Sequence, residues 1–120
     1  MPFEFISTTL DGVMLVEPKS FEDNRGEFSE LFKQSEFVQH GIDKPFVQTN
    51  FSVSKKGVLR GLHFQHEPMV QAKLVYVLSG SAFDVAVDIR KDSPYYGKWI
   101  SVTLSSEKRN MIYVPEGFAH

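Results

Sequence analysis

Residues 83–90 read Phe83-Asp84-Val85-Ala86-Val87-Asp88-Ile89-Arg90. Phe83, Val85, Val87 and Ile89 fall on one side, and Asp84, Ala86, Asp88 and Arg90 on the other. Strict alternation over eight residues is a strand signal, because successive side chains of a strand leave opposite faces. The predicted strand covers 82–89. On either side of it, further short apolar runs suggest strands at 13–18, 27–32, 46–53, 58–65, 72–78, 99–104 and 111–114. Turn signals separate them: Asp11-Gly12, Asn24-Arg25-Gly26, Lys55-Lys56-Gly57, Ser79-Gly80, Ser93-Pro94, Tyr96-Gly97 and Pro115-Glu116-Gly117. Only residues 34–40, ended by Gly41, resemble a helix. Many short strands punctuated by Gly and Pro predict an all-β antiparallel sandwich or barrel of jelly-roll type, one domain spanning 1–120.

Composition narrows the function classes. Eleven Phe, four Tyr and one Trp along 120 residues favour sheet and are enough for a real core. The net charge is −2 with no basic stripe, which disfavours nucleic-acid binding, since that normally relies on many phosphate-neutralising Lys and Arg. The chain has no Cys, so disulfides and thiolate metal sites are excluded; this fits a reducing, cytoplasmic setting. No apolar run approaches 18 residues, and the N-terminal segment lacks a basic start and a long apolar stretch, so neither a membrane span nor a signal peptide is expected.

The chemistry concentrates in Val58-Leu59-Arg60-Gly61-Leu62-His63-Phe64-Gln65, followed by Lys73. Cations and an imidazole in strand-like sequence are costly unless a partner or ligand compensates them, so the segment asks for an anionic, carbonyl-bearing ligand. His63 suits a general base, since its free pKa lies near neutrality. Lys73 suits the stabilisation of an enolate oxygen. Arg60 suits a bidentate grip on phosphate. Arg60 and His63 have opposite strand parity, so both reach one pocket only through an irregularity, which Gly61 would allow.

Pro115-x-Gly117-x-x-His120 resembles the second motif of the cupin superfamily, and His63-x-Gln65, Lys73 and Gly80 resemble a remnant of the first. Where metal cupins place a second His and a Glu, this chain has Gln65 and Lys73. An ammonium at a ligand position repels a divalent cation, and His66, three residues from His63, would point to the opposite strand face. No metal and no cofactor are expected.

More specifically, the chain resembles the dTDP-4-dehydrorhamnose 3,5-epimerase family. The resemblance rests on Phe21-x-Asp23-x-Arg25-Gly26-x-Phe28-x-Glu30, Gln48-Thr49-Asn50-x-Ser52, Gly57-Val58-x-Arg60-Gly61-Leu62-His63-x-Gln65, Lys73-Leu74-Val75, Asp84-Val85-x-Val87-Asp88-x-Arg90, Gly97-x-Trp99 and Pro115-x-Gly117-Phe118-Ala119-His120. It implies a cupin-type jelly-roll barrel that epimerises a dTDP-4-keto-6-deoxy sugar at C3 and C5. His63 would be the base and Lys73 the enolate stabiliser, with Asp84 tuning the charge nearby. Arg60, His120, Gln48, Thr49 and Asn50 would hold the sugar nucleotide. Arg25 and Glu30 would reach it across a homodimer built by exchange of N-terminal strands. Asp88 and Arg90 read as a structural face.

Family members continue past position 120, where they carry a tyrosine acid, the aspartate that pairs with the base and the closing strands. The resemblance therefore implies a C-terminally truncated barrel with impaired turnover. Three alternatives stand beside this reading: a 3- or 5-epimerase, a ketoisomerase, and a non-catalytic sugar-nucleotide-binding cupin.

Overall fold

A computed structural model describes residues 2–65 and 71–120. Nine strands and one short helix follow in chain order: β1 (Phe3–Ser7), β2 (Met14–Pro18), β3 (Ser20–Asp23), β4 (Gly26–Ser29), α1 (Gln34–Gln39), β5 (Lys73–Tyr76), β6 (Ser81–Asp88), β7 (Trp99–Ser105), β8 (Met111–Val114) and β9 (Phe118–Ala119). All strand pairs are antiparallel. They form a four-stranded sheet in the order β1-β2-β8-β5, a three-stranded sheet β7-β6-β9 and the hairpin β3-β4. The predicted all-β cupin-type fold is the one observed.

β8 explains how the layers stack. Its four residues, Met-Ile-Tyr-Val, are all buried, because both faces of the strand are covered. Ile112 and Val114 look toward the three-stranded sheet, where they join Leu10, Val13, Ala86, Leu104 and Phe118 in the core between the sheets. Met111 and Tyr113 look the other way, into a second core with Phe3, Val16, Phe37 and Ile42. Helix α1 closes this second core. At six residues it is too short to be stable alone, and its Lys33 cap makes no side-chain bond. Phe37 fixes it instead, fully buried and set edge-on against Phe3 and Phe5 at 5.2 and 5.1 Å between ring centroids.

β6 bears out the alternation with which the sequence reading began. Asp84, Ala86 and Asp88 are buried, whereas Phe83 is 71% exposed. The polar side of the strand faces inward, and it can do so because the buried carboxylates have partners, described below.

Four corrections to the expected elements follow. Residues 46–53 and 58–65 are not strands: although Val58 N–H closes the expected turn on Lys55 C=O, neither arm finds a ladder among the described residues. Val47 and Leu59 accordingly face outward, at 91% and 90% exposure, whereas Phe46 packs against the second core. The expected strand 27–32 stops at Ser29, after which the chain turns toward α1. β1 and β3 exist where no strand was expected, each held by the hairpin partner that follows it. Finally, the apolar C-terminal turn leads into a real strand, β9, paired with the end of β6.

Candidate active site

Between the two sheets a cavity of about 320 Å³ opens to solvent; among the described residues His63, Phe64, Gln65, Gln71, Lys73, Val114, Phe118 and His120 line it. This volume is in the range of small-molecule sites. Lys73 begins β5 opposite Val114, and its parity with Val75 turns it toward the inter-sheet core. Lys73 is half-buried and lines the cavity.

His120 follows β9 directly. Val87 pairs with Ala119 and Asp88 with Phe118, which carries the chain back across the cavity mouth. There His63 and His120 exchange two backbone hydrogen bonds: His63 N–H donates to His120 C=O at 2.7 Å, and His120 N–H donates to His63 C=O at 2.9 Å. Gly61 permits this approach. It has φ +106°, and a Cβ there would lie 2.9 Å from the His120 carbonyl oxygen. Gly61 thus serves a close backbone crossing, and the bulge expected there to turn Arg60 and His63 toward one pocket is not what it forms.

The His120 imidazole reaches Asp84, with Nε2 2.5 Å from Oδ1. The contact has the distance of an ion pair without the alignment of a full hydrogen bond, and Oδ1 has no hydrogen-bond partner among the described residues. The imidazole is therefore the group that compensates this buried oxygen. Asp84, which the sequence placed near the enolate, acts in the structure on His120.

The remaining candidates lie outside the cavity. Arg60 donates from Nε to Ser54 Oγ at 2.8 Å and from Nη2 to Val53 C=O at 3.4 Å, so within this chain it does not share the pocket with His63. Gln48 donates to Asn50 Oδ1 at 3.0 Å, which puts both on one side of the segment, as their parity suggested; they and Thr49 are exposed. Arg25 sits at the exposed tip of the β3–β4 hairpin, paired with Asp23 at 2.6 Å. That guanidinium holds the Asp23 carboxyl below its ordinary range. Glu30 is half-buried at the hairpin's exit. His66 lies outside the described residues. No three His, Asp or Glu side chains gather as a metal-binding group among the described residues, and no tyrosine lines the cavity there.

Sequence reasoning left Asp88 and Arg90 as a plain structural face, and here the structure adds most. Asp88 is completely buried. It accepts from Arg90 Nε at 3.1 Å, Arg90 Nη2 at 2.9 Å and Ser93 Oγ at 2.6 Å. The Arg90 guanidinium is the main reason its carboxyl is held down to about 2. The only hint in the sequence was an acid and a base two residues apart on one strand face. A larger and more open depression, about 460 Å³ between Thr9–Leu10 and Tyr95–Trp99, offers Lys98 and Tyr95 but, among the described residues, no imidazole or carboxylate.

The sequence profile described as dTDP-4-dehydrorhamnose 3,5-epimerase matches residues 7–120. The curated enzyme of that name from Methanothermobacter thermautotrophicus is 52% identical over 118 residues, 98% of this chain and 63% of the relative. The crystal structure of the Sulfolobus tokodaii enzyme superposes with a TM-score of 0.93 at 47% identity, covering all of this chain and 67% of that one. The Legionella pneumophila dTDP-6-deoxy-D-glucose-3,5-epimerase, solved with dTDP-4-keto-L-rhamnose, gives 0.93 at 49% identity over 98% of this chain and 63% of its own. This chain thus spans just under two thirds of the curated relative's length. With nearly every residue matched, at about half identity and on one fold, the chain belongs to the dTDP-4-dehydrorhamnose 3,5-epimerase family.

Proposed function

We propose that this protein acts as a dTDP-4-dehydrorhamnose 3,5-epimerase, converting dTDP-4-dehydro-6-deoxy-D-glucose to dTDP-4-dehydro-L-rhamnose. The observation that carries the reading is the convergence of His63, Lys73 and His120 on one cavity. A hydrogen on carbon next to a ketone is acidic only because the resulting electron pair can move onto the carbonyl oxygen. His63 takes the proton from C3, the C–H pair becomes the C3–C4 double bond, and the Lys73 ammonium stabilises the enolate oxygen. Return of a proton to the opposite face inverts the centre, and the sequence is repeated at C5. His120, backed by Asp84, holds the sugar nucleotide at the cavity mouth. Arg60, Gln48, Thr49 and Asn50 bind the nucleotide from the exposed segments beside it. The chemistry uses no metal or cofactor.

The partner is a second copy of the chain, in a homodimer formed by exchange of N-terminal strands. Support comes from the β3–β4 hairpin, whose cross-strand pair Phe21 and Phe28 is solvent-exposed, and from the exposed apolar side chains Val47, Phe51, Val53 and Leu59. Arg25 and Glu30 then serve the partner's cavity. A cytoplasmic location fits a chain without Cys in which no described helix is long and apolar enough to cross a membrane.

The test is solvent deuterium incorporation into the dTDP-4-keto sugar. With a base and a cation at the cavity, the protein should exchange the C3 and C5 hydrogens for deuterium. His63→Ala should abolish exchange, by roughly 10²–10⁴, and leave dTDP affinity intact. Exchange unaffected by His63→Ala rules the base assignment out, and exchange at one carbon alone identifies a mono-epimerase.

A further inference from the structure

The segment that delivers His120 has little ladder of its own. β9 contributes two pairs with β6, and Ile89 N–H adds a bond to Gly117 C=O at 3.2 Å. Behind it lies the Arg90 side chain. The guanidinium carbon sits 4.7 Å from the centre of the Phe118 ring. Gly117, at φ +90°, packs so closely that a Cβ would lie 2.6 Å from Arg90 Cγ and 2.8 Å from Cδ. Arg90 is in turn gripped side-on by buried Asp88, whose backbone pairs with Phe118 itself. Asp88 and Asp84 lie on the same strand and the same inward face, so clamp and target share one rigid element.

We propose that the Asp88–Arg90 pair is a positioning device for His120. Arg90 is the surface on which Gly117 and Phe118 rest, and it sets where the His120 imidazole meets Asp84. The device needs a planar guanidinium, which can bond a carboxylate through its edge while its face covers an aromatic ring; an ammonium supplies the charge without the plane. The inference rests on His120 being a site residue and adds to it the element that aims it.

The test uses the full chain with isotope-labelled histidine and compares Arg90→Lys and Arg90→Met with an Arg109→Met control, which removes an exposed ion pair to Glu27. Three quantities are read: unfolding free energy, the ring resonances of His120, and deuterium exchange into substrate. Arg90→Lys should recover most of the stability lost in Arg90→Met, because a cation remains beside Asp88. Its His120 resonances should nevertheless stay displaced, and exchange should fall roughly tenfold to a hundredfold, as sub-ångström to ångström misplacement produces. Should Arg90→Met not fold, the lysine variant alone carries the comparison. His120 resonances unmoved in Arg90→Lys, or returning in step with stability, overturn the proposal. Because the resonances are read without substrate, they decide the clamp whether or not the chain turns substrate over.

Discussion

Acid titration of Asp88 offers a direct measure of what the buried pair contributes to stability. Its carboxyl is held down from the ordinary 3.8 to about 2, chiefly by Arg90. At 1.36 kcal/mol per pH unit, that difference is worth about 2 kcal/mol once the group is ionised in both states. The sign follows from the proton count. Between pH 2 and 4 the unfolded chain binds more protons at this residue than the folded one, so stability rises with pH across that window. The contribution is complete above about pH 5, has fallen to about 1 kcal/mol at pH 3, and vanishes as pH drops through 2. Asp23 and Glu27 are also held below their ordinary range by Arg25 and Arg109, but they are exposed and solvent screens them. Comparing the protein with Asp88→Asn cancels their effect. Urea unfolding at pH 7, 4 and 3 should show the variant less stable by about 2 kcal/mol at neutrality, with the gap narrowing toward acid. Arg90 keeps contact with solvent at 39% side-chain exposure, so its unpaired charge in the variant does not widen the gap further. A gap that stays constant from pH 7 to pH 3 refutes the reasoning, because the loss would then come from shape and not from charge.

Other positions test the fold and the assembly. Phe37→Ala should cost about 3–5 kcal/mol in denaturant unfolding and abolish hydrogen-exchange protection over α1, since that ring is what fastens the helix to the second core. Gly117→Ala should cost about 2–4 kcal/mol from positive φ plus overlap with Arg90, whereas Gly57→Ala, at φ +85° with open space around it, should cost about 1 kcal/mol; equal losses by thermal melting would remove the claimed packing against Arg90. Phe28→Glu should shift sedimentation from dimer to monomer with little change in the stability of the isolated chain, because the ring is exposed on the hairpin. An unchanged sedimentation coefficient speaks against the strand-exchanged dimer.

The strands that could be read in the sequence are those whose neighbours lie in the same sheet. Residues 111–114 were bounded correctly because a strand buried on both faces must be continuously apolar, and Pro115 ends it. Period two identified β6 equally well, yet alternation reports that two faces differ and leaves open which is inside. Phe83 turned outward and the acidic set turned inward, because His120 and Arg90 arrive from distant or downstream positions to meet it. Sequence spacing carries no record of such partners. For the same reason Asp88–Arg90 could pass for a solvated face although Asp88 is completely buried.

The segments misread as strands show the opposite limit. Residues 46–53 and 58–65 have the composition of strands and a correct turn between them, but composition specifies a tendency to pair, and pairing needs a second edge. Among the described residues that edge exists only at His63, where His120 supplies both hydrogen bonds. The candidate site divides along the same line. His63, Lys73, Asp84 and His120 come together because two sheets and one backbone crossing hold them. Arg60, Gln48 and Asn50 stay apart because the segments that carry them have no ladder to fix them, and Arg25 because it sits at the exposed tip of the β3–β4 hairpin. Under the proposed function, the acid–base centre is then built by the intramolecular core, and the nucleotide grip falls to the exposed segments. On this division, core substitutions should damage proton exchange, and substitutions at the exposed arms should damage nucleotide affinity.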